Sequence, residues 1–116
     1  MDYQAPEFKP PYRVLVLAAS TDGWYSADAE DRGRVLEALD GLFRRVNANG
    51  ARLVASFDDD LFATGQPSSL PYSIYALYDV DDLTVIVTMV HELRVELGQM
   101  LRLEARIGRP LFLLEN

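Results

Sequence analysis

The stretch Arg13–Ala19, with the sequence RVLVLAA, decides the fold more than any other part of the chain. Beyond Arg13 it is apolar at both alternating sets of positions, which predicts a strand buried on both faces. The next residues, Ser20-Thr21-Asp22-Gly23, are typical of a turn. The rest of the chain must therefore supply a cover for each face of this strand.

Five further segments with a clear apolar period follow this strand, which extends back to Tyr12. They predict a helix over Ala27–Val46, strands over Arg52–Phe57 and Tyr72–Tyr78, a helix from Leu83, and a strand over Arg102–Ile107. The order strand-helix-strand-strand-helix-strand is the split βαβ plan. It predicts an α+β, ferredoxin-like fold (β-α-β-β-α-β), in which a four-stranded antiparallel sheet carries two helices on one face.

The two predicted helices have recognisable starts and buried stripes. Ser26 is a suitable N-cap for the first helix, and Asp81 is a suitable N-cap for the second. The predicted stripe of the second helix is Leu83, Ile86, Val87 and Val90. An alternative extends this helix over Leu83–Ile107 and leaves only Leu111–Leu114 as the last strand. The sequence therefore leaves open whether residues 95–101 are helix or loop.

A chain of 116 residues suits one domain. Residues 1–11 hold three prolines and no apolar period, which predicts an extended N-terminal arm before a single domain over residues 12–116. There is no cysteine, and the first residues lack the basic and apolar regions of a signal peptide. We therefore expect a cytoplasmic protein.

The net charge of −7 argues against nucleic acid and membrane surfaces as partners, because both attract clustered Lys and Arg. No apolar run approaches the ~20 residues of a membrane span. The sequence also lacks the glycine-rich G-x-G-x-x-G and Walker loops and the G-x-S-x-G motif. We expect no cofactor and no metal.

The predicted topology gathers five candidate side chains at the end of the sheet where the first strand finishes: Trp24, Tyr72, His91, Arg94 and Arg102. A histidine can transfer a proton near neutral pH, so His91 is the candidate catalytic residue. Arg94 or Arg102 could bind a carboxylate with two parallel hydrogen bonds, while Trp24 and Tyr72 pack an apolar ring. Ordinary packing and solvated surface positions are the structural alternatives for all five.

Two acidic groups, Asp58–Asp60 and Asp79–Asp82, resemble halves of a metal site. The predicted topology places them at opposite ends of the sheet, so they cannot share an ion. Helix capping explains the second group, and a solvated strand end explains the first.

Both faces of the central strands are apolar, and two helices can cover only one of them. An exposed apolar sheet favours aggregation, so a second copy of the same sheet is the natural cover. The sequence therefore predicts a homodimer with two-fold symmetry.

The chain resembles the dimeric α/β barrel superfamily, and within it the darcynin-like group of small proteins. The resemblance rests on the apolar first strand that leads into Ser20–Trp24, on the helix start Ser26–Arg32, on Ile74–Val80 followed by Asp81-Asp82-Leu83, and on Leu103–Ile107. It implies a dimer with a cleft between sheet and helices in each subunit. Enzymes of this superfamily act on small aromatic or cyclic acids, often without a cofactor.

Two functions follow as hypotheses. The first is binding or transformation of a small apolar or aromatic acid in a pocket between sheet and helices. The second is a non-catalytic accessory or interaction dimer, which the lack of a catalytic motif favours.

Overall fold

The structure, a computed structural model, describes residues 8–65 and 72–109. These residues form four strands and three helices: β1 (Tyr12–Ser20), α1 (Asp22–Ser26), α2 (Ala29–Ala48), β2 (Ala51–Asp58), β3 (Ile74–Val80), α3 (Thr84–Leu97) and β4 (Leu101–Gly108). Most of the predicted arm, residues 1–7, lies outside the described residues, as does the alternative strand at Leu111–Leu114.

The sheet has the strand order β2-β3-β1-β4, and all neighbouring strands are antiparallel. The apolar strand β1 lies inside it, between β3 and β4, as its two-sided apolar pattern predicts. The architecture is α+β with an open antiparallel sheet and is compatible with a ferredoxin-like fold. The long-helix alternative is wrong, because α3 ends at Leu97 and β4 pairs with β1 along Leu101–Gly108.

The helix starts differ from the prediction in three respects. The short helix α1 occupies Asp22–Ser26, where the sequence predicts only a turn. The N-cap of α2 is Asp28 and not Ser26, and its carboxylate accepts a hydrogen bond from the Asp31 amide at 2.8 Å. The first turn of α3 is held by Asp82, which accepts from the Thr84 amide at 2.9 Å and has a lowered pKa as a result. Asp81 instead binds Arg52.

The buried face of α3 is rotated from the predicted stripe. Ile86, Met89, Leu93 and Leu97 are buried, whereas the side chain of Val87 is 62% exposed. The reason is that Met89 and Leu93 follow Ile86 at steps of three and seven residues, which keeps them on its side of the helix. On α2, Val35, Leu39, Leu42 and Val46 are buried, and Phe43 is half-buried.

The core lies between the helices and one face of the sheet. Val14 and Val16 of β1 belong to this cluster of buried residues, together with Tyr78 of β3 and Leu101 of β4. Alternation along β1 places Leu15, Leu17 and Ala19 on the outer face. None of the helices in the described ranges is both long and apolar enough to cross a membrane.

Candidate functional site

The end of the sheet where β1 finishes is built around Thr21. Its amide donates to the carbonyl oxygen of Met100 at 3.1 Å, and its hydroxyl donates to the carbonyl oxygen of Gln99 at 2.5 Å. Gly23 packs so closely on this connection that a Cβ there would collide with the Gln99 carbonyl oxygen. The segment between α3 and β4 is thereby fixed against the end of β1.

A cavity of about 190 Å³ lies beside this junction, between α3 and β4. Four of its lining side chains are apolar: Val90, Leu93, Leu101 and Leu103. Its charged lining residues are Arg94 from the last turn of α3 and Arg102 from β4. Arg94 supplies a positive charge on the helix side of this cavity, whereas Arg102 pairs with Ala19, so its side chain leaves the edge strand β4 on the outer face, opposite to Leu101 and Leu103.

The two arginines of the cavity have no protein partner within residues 8–65 and 72–109. All ten arginines of the sequence lie within the described residues. Arg94 and Arg102 make no hydrogen bond, ion pair or ring contact there. The other eight contact a carboxylate, a backbone carbonyl or an aromatic ring: Arg13, Arg32, Arg34, Arg44, Arg45, Arg52, Arg106 and Arg109. An unpaired guanidinium group beside an apolar cavity can bind an organic anion.

The other predicted site residues do not line this cavity. Trp24 is half-buried on α1, and the Arg32 guanidinium lies 5.5 Å from its ring centroid. His91 is exposed on α3. The carbonyl oxygen of Tyr72 accepts a hydrogen bond from the Tyr75 hydroxyl at 3.0 Å. The structure therefore does not bring Trp24, His91 and Tyr72 into one cavity with the arginines.

The acidic groups lie at opposite ends of the sheet, as the topology predicts. Asp58 pairs in register with Ile74, and Asp59 accepts from the Tyr75 hydroxyl at 2.8 Å. At the other end Asp79 binds the Arg13 guanidinium at 2.7 Å, so an ion pair accounts for this carboxylate instead of helix capping. Within the described ranges, no three acidic or histidine side chains come together as metal ligands could.

Among the further cavities, two lie beside α2 and were not predicted. One of about 290 Å³ lies between α2 and the start of α3, where Arg45 binds Glu92 at 3.0 Å. The other, of about 570 Å³, lies between α2 and the strands β2 and β3 and is rich in aromatic residues. The predicted faces of the helices and strands give no signal for either cavity, because each depends on the spacing between packed elements.

Comparison of the chain with protein-family models finds no matching family, and comparison with curated proteins finds no similar sequence. The functional argument therefore depends on the geometry of the chain itself.

Proposed function

We propose that the protein binds a small apolar or aromatic carboxylic acid in the cavity between α3 and β4. The observation that carries the proposal is that Arg94 and Arg102, which have no partner among the described residues, belong to the lining of one apolar cavity. A carboxylate can accept two parallel hydrogen bonds from a guanidinium group. Leu93 and Leu101 would cover the apolar part of the acid and exclude water from it.

Binding does not require His91, which is exposed on α3 and does not line the cavity. Proton transfer by His91 stays a prediction that only a bound ligand could test. The proposed activity is therefore ligand binding, and catalysis is a separate hypothesis.

We extend the proposal to a cytoplasmic homodimer of the dimeric α/β barrel type, in which two sheets pack through their outer faces. The outer face carries Leu15 and Leu77, which are half-buried, and Phe57, whose side chain is 62% exposed. Leu17 and Ala19 on the same face are already buried within one chain. Specific dimers bury ~800 Å² on each subunit, so the remaining apolar side chains would form only the centre of the interface.

A second candidate function is a non-catalytic interaction dimer. It is favoured by apolar side chains around the end of the edge strand β2: Val54 is 50% exposed, Phe62 78% and Leu61 96%. Such side chains on one sheet edge suit contact with another protein. This candidate predicts partner binding without any affinity for a carboxylic acid.

The experiment that tests carboxylate binding is a titration with 2-naphthoate and with the neutral 2-naphthamide. Fluorescence of Trp24, the only tryptophan, and thermal stability are the measurements. We expect naphthoate to bind the wild type, and Arg94→Gln or Arg102→Gln to weaken binding about tenfold. The matched control is Arg34→Gln, because Arg34 pairs with Asp31 on the surface of α2. Equal binding of the amide, or equal binding to all variants, would overturn the proposal.

A further inference from the structure

The aromatic cleft between α2 and the β2–β3 pair, lined on its floor by Ala76 and Tyr78, lies on the helix-bearing side of the sheet. It opens at the edge formed by β2, whereas the arginine cavity lies beside β4, at the other edge. The pairing of β2 with β3 shifts register between Leu53 and Ala55, which leaves Val54 as an extra residue in the edge strand. Such a bulge bends an edge strand. Only Ala51 of β2 is buried, so α2 does not close over this edge.

Two aromatic residues on the helix side of the sheet, Phe43 and Tyr78, line the cleft as a stacked pair. The rings of Phe57 and Tyr75 stack on the outer face, because these two residues pair in register with each other and Tyr75 pairs with Leu17. The ring centroids of Phe43 and Tyr78 are 6.3 Å apart with planes 18° from parallel. Aromatic faces of this kind favour a flat ring as a further stacking partner. The volume of about 570 Å³ is in the range of small-molecule sites.

Tyr78 supplies an unused polar group to this cleft. Its side chain is 1% exposed and makes no hydrogen bond among the described residues. The Tyr78 hydroxyl oxygen is nevertheless partly accessible, because none of the described residues has a fully buried side-chain oxygen without a hydrogen-bond partner. Burial raises the pKa of Tyr78 to about 12, which keeps the phenol neutral and able to donate. A bound molecule could therefore meet this hydroxyl with one polar atom.

The charges around the cleft disfavour an anion. Asp40 and Arg44 neutralise each other through an ion pair of 2.7 Å, which leaves Asp58 as the unbalanced charge in the lining. The arginine cavity, in contrast, has positively charged residues in its lining. We propose that the cleft is a second ligand site, which takes a neutral planar aromatic compound with one hydrogen-bonding group directed at Tyr78.

The test uses N-phenyl-1-naphthylamine, a neutral aromatic probe whose fluorescence rises in apolar surroundings and whose N–H can donate to the Tyr78 oxygen. We expect saturable binding to the wild type. Tyr78→Phe removes only the hydroxyl and should weaken binding about fivefold, the effect of one neutral hydrogen bond. Ser56→Trp places a large ring at an exposed lining position and should abolish binding by filling the cleft.

Phe62→Ser is the matched control, because Phe62 is 78% exposed and does not line the cleft. It should leave the affinity for the probe unchanged. The proposal is overturned if the folded wild type binds no probe, or if Tyr78→Phe and the control bind equally. If, in addition to the lack of probe binding, Ser56→Trp converts a dimer into a monomer, the occupant of the cleft is a second copy of the chain and not a small molecule. If Ser56→Trp does not fold, Tyr78→Phe alone decides.

Discussion

Thr21 and Gln99, which are 78 residues apart in sequence, are joined by a hydrogen bond of 2.5 Å from the Thr21 hydroxyl to the Gln99 carbonyl oxygen. This bond ties the end of β1 to the connection that separates Arg94 on α3 from Arg102 on β4. The relative position of the two arginines therefore depends on a contact that neither of them makes.

Replacement of Thr21 by valine keeps the branched shape and removes the hydroxyl. We expect a loss of about 0.5–1 kcal/mol in the free energy of unfolding, the usual net effect of one exposed hydrogen bond. Urea denaturation measures this change. Thr88→Val on α3 is the control, because the Thr88 side chain is exposed and makes no hydrogen bond among the described residues. An equal loss in both variants would contradict a special role for the Thr21 contact.

Gly33 should be replaceable with a gain in stability. It lies inside α2, and a Cβ at this position would meet no atom within 4 Å. Alanine in an exposed helix is favoured over glycine by roughly 0.5–1 kcal/mol, so Gly33→Ala should raise the melting temperature. Gly23→Ala should lower it, because the new Cβ would collide with the Gln99 carbonyl oxygen. Calorimetry measures the melting temperature of both variants. A higher melting temperature for Gly23→Ala would contradict the close contact with Gln99.

The α+β fold with a four-stranded antiparallel sheet could be predicted because it follows from apolar periodicity. Strict alternation over Arg102–Ile107 identifies β4, and the topology then brings its start to the end of α3. Helix α1 was missed because its five residues begin with turn-forming Asp22-Gly23 and have no apolar stripe. The aromatic cleft was missed because the register shift after Leu53 leaves no mark on the apolar pattern of β2.

Topology places residues at an end of the sheet but does not fix where each side chain lies. His91 follows Val90 by one position, which turns it ~100° around the helix from a residue that lines the cavity. Trp24 is held by Arg32, which donates to its carbonyl oxygen at 2.9 Å and lies over its ring. These local contacts explain why only two of the five candidate residues line one cavity.

The outer face of the sheet gives a test of the dimer. Leu77→Glu places a charge among the apolar outer-face residues and should convert a dimer into a monomer, because an unpaired carboxylate opposes burial in an interface. Sedimentation velocity at several concentrations measures the change. Val95→Glu is matched in charge, but Val95 is 70% exposed on α3, so this variant should stay dimeric. A monomeric wild type would contradict the proposed dimer.

Ionisation of Tyr78 should lower the free energy of unfolding at alkaline pH. Its pKa is raised by burial to about 12, whereas an unfolded tyrosine titrates near 10. Between these two pKa values the folded state binds more protons than the unfolded state. The contribution of Tyr78 to the free energy of unfolding is therefore complete below pH ~10 and is lost as the pH rises toward ~12. The pKa of Tyr75 is raised as well, chiefly by its hydrogen bond to Asp59, and acts in the same direction.

In the Tyr78→Phe variant, the free energy of unfolding should therefore decrease less steeply as the pH rises above ~10. Some decrease should remain, because Tyr75 also has a raised pKa. Urea denaturation at a series of alkaline pH values compares this variant with the wild type. Identical slopes for the two proteins would contradict the buried phenol.

The most direct test of the proposed function is to map the naphthoate site by amide chemical shifts. Stepwise addition of 2-naphthoate to the nitrogen-15-labelled protein should shift Val90, Arg94 and the amides of Leu101–Leu103, with little change along α2. The same titration of the Arg94→Gln, Arg102→Gln double variant should leave those amides in place. Shifts confined to the cavity between α2 and α3, or no saturable shifts at all, would contradict carboxylate binding between α3 and β4.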